Sequence, residues 1–309
     1  MPNALVDAEI VVIGSANADL VATSRHIPAP GETVLGDSFR IVAGGKGANQ
    51  AVAAARLGGR VAFVGRVGDD AFGRTLAQGL QDAHVDCTHL QSTSGVETGV
   101  ALIVISNAGE NAICVVAGAN RHLTPADIDA AEETIAAARV CLLQLEIPLE
   151  TALHTIALAR RLGVETILDP APAPAAAPAG LFHVDILSPN QSEAVQLLGA
   201  DYAPGDPSDV AQALRQRGGR TIVLKRGADG AYLSSGSIKT SVPGFRVDAV
   251  DTTAAGDAFT AALGVARVEG MSLESAVRFA NAAGALACTK LGAQPALPAR
   301  AQVTALLES

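Results

Sequence analysis

The sequence predicts a three-layer α/β/α fold, with a mostly parallel central sheet and a small β-sheet lid. Short apolar runs rich in β-branched residues alternate with Ala- and Leu-rich segments of helical length along most of its 309 residues. Strands that are apolar on both faces and separated by helices are typical of a parallel sheet covered on both sides. Two stretches that break this alternation predict the lid.

The apolar runs predict buried strands of the central sheet at residues 10–15, 61–65, 140–145, 166–169, 185–188 and 221–225. The segments between them predict helices at residues 48–57, 71–80, 125–138, 149–162, 191–198 and 210–217. The C-terminal part, residues 254–289, is expected to be mostly helical.

The two interrupting stretches are residues 23–42 and 97–116. The first is polar, carries Pro28, Pro30 and Gly31, and has no helical period. The second alternates in polarity around an Asn-Ala-Gly-Glu turn, which predicts a β-hairpin. We therefore expect a small β-lid formed by about residues 17–43 and 97–118, carried by a single domain over residues 1–309.

Composition excludes several classes of protein. Hydrophobic residues make up 49% of the chain, as in a folded globular protein, and the net charge of −9 argues against a nucleic-acid or anionic-membrane surface. The chain has no apolar run of membrane-spanning length and no signal-peptide pattern at its start, so we expect a cytoplasmic protein. Its four cysteines lack metal-site or CxxC spacing, and are predicted to be small buried hydrophobes: Cys87, Cys114, Cys141 and Cys288.

The segment from Asp251 to Phe259 carries the strongest functional signal. Two small residues and Gly256 lead into Asp257, and an apolar run of helical type follows. The first turn of a helix has free backbone N–H groups, which hold anions such as phosphate. An aspartate beside such a site is placed to act as the general base for phosphoryl transfer to a hydroxyl. An ordinary N-cap is the alternative interpretation of Asp257.

A second glycine-rich segment, GGKGANQ at residues 44–50, opens the first predicted helix. It has neither the Walker A spacing nor GxGxxG, which argues against a P-loop and a dinucleotide site. The glycines would let the backbone approach a small polar ligand, to which Lys46 and Asn49 would donate. A helix entry with a solvated lysine is the alternative.

Polar residues follow several predicted strands. Asn17 and Asp19 share one side of an extended chain and suit the vicinal hydroxyls of a sugar, although both are also ordinary turn residues. Glu146 follows another strand, where a helix-start role is the alternative. Asn190 and Glu193 form either a capping box or a site for magnesium-bound water and phosphate.

Together these motifs resemble the PfkB family of carbohydrate kinases. The shared motifs include GSANAD at residues 14–19, GGKGANQA at 44–51 and DTTAAGD at 251–257, and they follow the family's order along the whole chain. Further matching segments are residues 30–33, 98–102, 118–120, 144–146, 243–245 and 292–295. The likeness is greatest to family members that transfer the γ-phosphoryl group of ATP to the 5-hydroxyl of D-ribose, so the resemblance implies this reaction.

The resemblance also implies roles for individual residues. Those expected to hold the sugar are Asn17, Asp19, Gly45, Lys46, Asn49, Glu146 and the base Asp257, with Ala101 and Ile113 closing over it from the lid. Those expected at the nucleotide are Asn190, Lys225, Gly227, Gly230, Gly256 and Asn281, with the N–H groups of Ala254 and Ala255 in the anion hole. Magnesium is expected with ATP, held through water by Glu193. An activating potassium ion is expected among Asp251, Thr253, Ala287, Lys290, Gly292 and Ala296.

Two positions depart from the family pattern. Lys225 and Arg226 stand where Thr-Leu is common, and Ala296 stands where serine is common, so one nucleotide contact and one potassium ligand are left open. The alternatives to ribose are deoxyribose, fructose or a nucleoside, and a more distant alternative is a non-catalytic sugar-binding regulator. Lid strands with exposed edges would pair across a two-fold axis, so a homodimer through the lid is expected.

Overall fold

The computed structural model describes residues 8–199, 202 and 205–309, and its centre is a nine-stranded, mostly parallel sheet. The sheet has the strand order β13-β12-β11-β10-β9-β8-β1-β4-β5, and only the pairings of β12 with β11 and with β13, at one edge, are antiparallel. The strands of this sheet are β1 (Ile10–Ile13), β4 (Val61–Gly68), β5 (Asp86–Thr93), β8 (Val140–Leu143), β9 (Glu165–Leu168), β10 (Ile186–Leu187), β11 (Thr221–Lys225), β12 (Ala231–Ser235) and β13 (Ile238–Val242).

Helices cover both faces of this sheet because its strands are apolar on both sides. In β1, Ile10 and Val12 face one hydrophobic cluster, which is built largely from α1, α8 and α9, while Val11 and Ile13 face a second cluster built from α3 to α7. The helices are α1 (Lys46–Arg56), α2 (Ala71–Asp82), α3 (Pro125–Ala130), α4 (Glu132–Ala137), α5 (Leu149–Leu162), α6 (Gln191–Leu198), α7 (Pro207–Gln216), α8 (Ala255–Val268), α9 (Leu273–Ala287) and α10 (Arg300–Glu308). The predicted three-layer α/β/α fold is confirmed.

A separate four-stranded sheet forms the lid, in the order β3-β2-β6-β7. The hairpin predicted around residues 107–110 joins its last two strands. The strands of the lid are β2 (Asn17–Ser24), β3 (Gly36–Gly44), β6 (Gly99–Ser106) and β7 (Asn111–Val116). The lid is anchored near its base by Asp70, which caps α2 through Gly73 N–H and also accepts hydrogen bonds from the N–H and hydroxyl of Thr98.

Two sequence-based expectations were wrong in detail. The helix predicted over residues 125–138 is divided at Ala131, whose backbone lies outside helical geometry (φ −98°, ψ 7°), so that Ile128 and Ile135 are buried from two separate helices. Of the four cysteines predicted to be buried, only Cys141 is: Cys87 and Cys288 are partly exposed, and Cys114 is exposed because it lies on β7, the outer strand of the lid, on which every residue is exposed. None of the helices in the described part of the chain is long and apolar enough to cross a membrane.

Candidate active site

Polar residues, most of them singled out in the sequence, gather at the carboxyl ends of the parallel strands. Glu146 lies just beyond β8, Asp169 directly follows β9, and Asn190 lies just beyond β10. Lys225 is the last residue of β11. This edge is where a parallel sheet leaves its loops free to form a ligand site, and the lid rises from it because β2 begins four residues after β1 ends.

Lid strand β2 contributes two sugar-site candidates. The side chain of Asn17 is buried, and its Oδ1 accepts a hydrogen bond from Asn120 Nδ2 at 2.7 Å. Asp19 lies over Gly44, where an added Cβ atom would overlap its carboxylate. No described residue donates a hydrogen bond to that carboxylate, so it remains available to ligand hydroxyls. The glycine at position 44 is therefore required by the close approach of Asp19.

The start of α1 is shaped by the second glycine-rich motif. Gly45 precedes the helix with φ 86°, in the left-handed region that favours glycine. This turn aims the N–H of Lys46 at Glu146 Oε2, 3.1 Å away, and the hydroxyl of Ser15 donates to the same oxygen at 2.5 Å. Glu146 thus stabilises the N-terminus of α1 as a carboxylate at the positive end of a helix dipole.

Asp257 is buried in the first turn of α8, and both of its carboxylate oxygens accept hydrogen bonds. Asn49 Nδ2 donates to Oδ2 at 3.0 Å, and Gln50 Nε2 donates to Oδ1 at 3.2 Å. The other amide atom of Asn49, Oδ1, is buried without a partner among the described residues. An unpartnered buried acceptor beside a carboxylate is suited to a ligand hydroxyl.

The anion hole predicted at the start of α8 is present, with one correction. Ala254 adopts a left-handed conformation (φ 60°, ψ 8°) that turns the chain into the helix. The N–H groups of Ala254, Gly256 and Asp257 donate to no described residue. The N–H of Ala255 donates instead to the carbonyl of Thr252 at 3.2 Å, because the turn brings these two groups together. The hole therefore offers three free N–H groups rather than four.

Crowding of carboxylates sets the electrostatics of the site. Burial disfavours the charge of Lys46, but its neighbours, led by Asp257 and Asp169, raise its pKa above the ordinary value. Burial raises the pKa of Asp257 to about 6, although Lys46 lowers it. Burial, with repulsion from Glu146 and Asp257, raises the pKa of Asp19 to about 7. A carboxylate with a pKa near 6 is largely ionised at neutral pH and still accepts a proton readily.

A cavity of about 860 Å³ adjoins Asp257, and Asp19 is not among the residues that line it. Its lining includes Lys46 and Asp257 together with every residue expected at the nucleotide: Asn190, Lys225, Gly227, Gly230, Ala254, Ala255, Gly256 and Asn281. Glu193 also lines it and forms the predicted capping box, accepting from Asn190 N at 2.7 Å. The segment from Lys225 to Gly230 is also the hairpin connection between β11 and β12.

The residues expected at potassium lie on two loops that are bonded together. The N–H groups of Val250 and Asp251 donate to the carbonyl of Cys288, and Asp251 Oδ2 accepts from Gly292 N at 2.8 Å. Asp251 Oδ1 accepts from the N–H and hydroxyl of Thr253. Partial burial would raise the pKa of Asp251, but these hydrogen bonds from Thr253 and Gly292 lower it.

The two lid residues expected over the sugar differ in placement. Ala101 is buried and pairs directly with Asp19 across β2 and β6. Ile113 lies on the outer strand β7, opposite Ile103, and is 55% exposed. Ala101 is therefore next to the sugar candidates of its own chain, whereas Ile113 presents its side chain at the surface.

Comparison with known proteins agrees with this geometry. The model of the pfkB family carbohydrate kinases matches residues 7–300. The chain belongs to the PfkB family of carbohydrate kinases. It is 42% identical to a ribokinase of Bacillus subtilis, over 96% of this chain and 99% of that protein. It is 36% identical to a deoxyribokinase of Salmonella typhi, over 94% of this chain and 95% of that protein.

A solved structure has the same fold over nearly the whole of both chains. The ribokinase of Arabidopsis thaliana, described as complexed with ribose and ATP, superposes with a TM-score of 0.87 at 35% identity, covering 98% of this chain and 99% of that one. This PfkB protein is accordingly an ATP-dependent sugar kinase of the ribokinase-like type.

Three residues of this PfkB site were not singled out in the sequence. Gln50 bridges Asp257 and Asp169, donating to Asp169 Oδ2 at 3.1 Å, and its Oε1 accepts from Gln144 Nε2 at 2.5 Å. Asn120 orients Asn17. Asp169 follows a buried strand in the same way as Glu146, so the rule that identified Glu146 could have found it; Gln50 and Asn120 lie within the motifs already quoted, but their contacts depend on the fold.

Proposed function

We propose that this kinase transfers the γ-phosphoryl group of ATP to the 5-hydroxyl of D-ribose, giving D-ribose 5-phosphate and ADP. The observation that carries the proposal is Asp257, buried between lid residues that suit sugar hydroxyls and a cavity that ends at three free N–H groups. The ribokinases among its relatives support ribose as the acceptor.

Asp257 would act as the general base. Its carboxylate would take the proton of the sugar hydroxyl as that oxygen forms a bond to the γ-phosphorus. The bond from the γ-phosphorus to the bridging oxygen breaks, and its electron pair leaves with ADP. The free N–H groups of Ala254, Gly256 and Asp257 would stabilise the charge on the transferring phosphoryl oxygens. Closure of the lid would keep water from taking the place of the sugar.

Sugar recognition would come from both sides of the site. Asn17 and Asp19 reach the sugar from the lid, while Asn49 and Glu146 reach it from the core, with Gly45 allowing backbone approach and Ala101 covering it. Ile113, at the surface of its own chain, would contribute in the closed or dimeric form. The deoxyribokinase relative supports 2-deoxyribose as the second candidate acceptor.

Magnesium bound with ATP would neutralise part of the charge of its phosphates. Among the described residues no three His, Cys, Asp or Glu side chains are grouped as a metal site. This fits an ion held mainly by phosphates and water, as is usual for Mg²⁺. Glu193 fits a water-mediated role because it lines the cavity while its carboxylate is fixed by Asn190.

We further propose a potassium ion between the two loops bonded to each other through Asp251. The backbone carbonyls of five residues accept no hydrogen bond from any described residue, and carbonyl oxygens are the ligands of hard monovalent cations. These are the carbonyls of Thr253, Ala287, Lys290, Gly292 and Ala296. Ala296 is buried and would contribute only its carbonyl, because it lacks a side-chain oxygen. The ion would fix the turn that carries the anion hole.

The lid also supports a homodimer in the cytoplasm as the working form. The face of the lid turned away from Asp19 carries exposed apolar side chains at neighbouring sheet positions: Phe39, Ile41, Leu102 and Val116. An apolar sheet face of this kind is usually covered, and a second copy of the same face would cover it symmetrically. Four cysteines without a disulfide among them suit a reducing compartment.

Asp257→Asn is expected to lower kcat by at least about 100-fold, because a general base contributes roughly 10²–10⁴-fold. The Asn side chain retains one acceptor oxygen, so ribose and ATP binding should change little by calorimetry. In the wild type, kcat/KM should fall as the pH is lowered through about 6, where Asp257 takes up its proton. A variant retaining more than about a tenth of wild-type kcat would contradict the base assignment.

Steady-state kinetics with a panel of sugars should separate the candidate acceptors. We expect kcat/KM for D-ribose to exceed that for 2-deoxyribose by about 10-fold or more, because a site that bonds a hydroxyl leaves buried groups unpaired when it is absent. Fructose and a nucleoside complete the panel. A higher kcat/KM for 2-deoxyribose would assign the enzyme to deoxyribose, and equal values would show that the 2-hydroxyl is not recognised.

Replacement of potassium by sodium or by a bulky organic cation at constant ionic strength should lower kcat or nucleotide affinity. The smaller or larger ion cannot match the same carbonyls, so the anion hole would be less well formed before ATP binds. Asp251→Asn should weaken the response to potassium. Identical rates in the three salts would exclude the ion.

Leu102→Glu should convert a dimer to a monomer in sedimentation experiments, because it buries a charge in the proposed apolar interface. Gln81→Glu, on the exposed face of α2, is the matched control and should leave the assembly unchanged. A wild-type chain that sediments as a monomer, or a Leu102→Glu variant that remains dimeric, would contradict this interface.

A further inference from the structure

A buried ion pair in the wall of the nucleotide cavity is not explained by the reaction described above. Lys225 Nζ lies 2.7 Å from Asp169 Oδ1, and the two side chains are only 12% and 2% exposed. They stand at the carboxyl ends of β11 and β9, with β10 between them.

The second oxygen of Asp169 is connected to the general base. Gln50 Nε2 donates to Asp169 Oδ2 at 3.1 Å and to Asp257 Oδ1 at 3.2 Å. Gln144 holds the oxygen end of the Gln50 amide, which leaves its NH₂ group to span the two carboxylates. A continuous contact path therefore runs from Lys225 through Asp169 and Gln50 to Asp257, in a buried setting where charges act strongly on one another.

The ammonium group of Lys225 also lies next to the anion hole. It is 3.6 Å from the position that a Cβ atom would take on Gly256, one of the residues with a free N–H group. Both residues line the same cavity. A phosphate bound at those N–H groups would be within reach of Lys225, whose flexible stem lets one ammonium bond two acceptors.

We propose that the ammonium group of Lys225 divides its hydrogen bonds between Asp169 and the terminal phosphate of the nucleotide. Asp169 and Gln50 are then positioning residues, through which this change in hydrogen bonding acts on Asp257. The proposal rests on the proposed function. When the phosphate binds, Lys225 transfers part of its hydrogen bonding to it, and Asp169 loses part of its counter-charge. Asp169 then repels the charge of Asp257 more strongly. The base thus becomes a better proton acceptor when ATP is in place.

The charges around the two carboxylates are consistent with this control. Asp257 faces Lys46, Asp169, Glu146 and Asp19, and among its carboxylate neighbours Asp169 acts most strongly to raise its pKa. The charged groups acting around Asp169 are Lys225, Lys46, Glu193 and Asp257. Lys225 is the one in direct hydrogen-bonded contact with Asp169, so its position decides how much of the Asp169 charge is compensated.

The test is the pH dependence of kcat/KM for ATP at saturating sugar, which reports the enzyme before ATP binds. The acid limb is the part of this profile in which kcat/KM falls as the pH is lowered. Lys225→Met should move the acid limb to higher pH by at least about half a unit, because the negative charge of Asp169 then has no positive charge bonded to it. It should also raise KM for ATP about 10-fold or more through loss of a phosphate contact. Asp169→Asn should move the limb in the opposite direction, to lower pH, because the repulsion is gone.

If either single variant folds poorly, the double variant Lys225→Met/Asp169→Asn provides a second test. It removes one positive and one negative charge, so the net charge of the site is unchanged. Its acid limb should return towards the wild-type value while KM for ATP stays raised. Lys225→Arg should keep the limb, and Lys239→Met, on the exposed side of β13, is the control for loss of a lysine charge. Circular dichroism and thermal unfolding check that each variant is folded.

The outcomes separate this proposal from the proposed function. If the wild type phosphorylates a sugar but both single variants shift the limb in the same direction, or neither shifts it, the coupling is wrong. A raised KM for ATP with an unmoved limb would leave Lys225 as a simple phosphate ligand and would also overturn the coupling. A wild type that phosphorylates no sugar would instead overturn the proposed function itself.

Discussion

The rest of the site depends on the balance of charge between Lys46 and a group of buried or half-buried carboxylates, whose charges favour the ammonium form of Lys46. The carboxylates that act on its charge are Asp257, Asp169, Glu146 and Glu193. A buried charge without a partner costs several kcal/mol, so the lysine and its neighbours have to be positioned together. Gly45 provides the turn that brings Lys46 into their midst, and Glu146 binds the backbone of the same residue. The glycine-rich segment at residues 44–50 therefore positions the ammonium group of Lys46 among several carboxylates.

Two features of the candidate site lower the stability of the folded chain: the backbone conformation of Ala254 and the raised pKa of Asp257. Ala254 adopts a left-handed conformation, which costs roughly 1 kcal/mol for a residue with a side chain. The pKa of Asp257 is raised from 3.8 to about 6, so the folded state prefers the protonated form. The resulting penalty is absent below the unfolded pKa, grows as the pH rises and is complete above about 6, where it amounts to about 3 kcal/mol. Strain and raised acid pKa values at one place are typical of functional sites.

The sequence was most informative where a local signal determines the structure. The helices predicted at residues 149–162 and 191–198 and the strand at 221–225 have the same bounds in the structure, because each follows from apolar periodicity and a clear start or stop. The break between two helices at Ala131 has no such signal in the sequence, because alanine favours helix. Cys114 was misjudged because its exposure depends on β7 being the outer strand, which is a property of the sheet order and not of the segment.

In the candidate site too, the sequence predicted what a local motif determines and missed what depends on the fold. Residues within motifs, such as Asp257 and Asn49, could be selected from the sequence because the motif itself suggests their chemistry. Gln50 lies inside one of these motifs, yet its importance comes from bridging two carboxylates that are 88 positions apart in the chain, at residues 169 and 257. Such a contact arises only when the sheet brings β9 beside the start of α8.

The division of the site between two sheets has a consequence for the order of events. Asn17 and Asp19 belong to the lid, while Asn49, Glu146 and Asp257 belong to the core, so in the proposed function a bound sugar would be the element that joins them. Within the described part of the chain, Asn49 Oδ1 is buried without a hydrogen-bond partner, and no residue donates a hydrogen bond to the carboxylate of Asp19. Hydrogen bonds to the sugar would satisfy both at once and favour the closed lid, since burial of unpaired polar groups is costly. A water molecule makes too few contacts to do the same. The site can therefore favour transfer to a sugar over hydrolysis of ATP without a separate residue dedicated to excluding water.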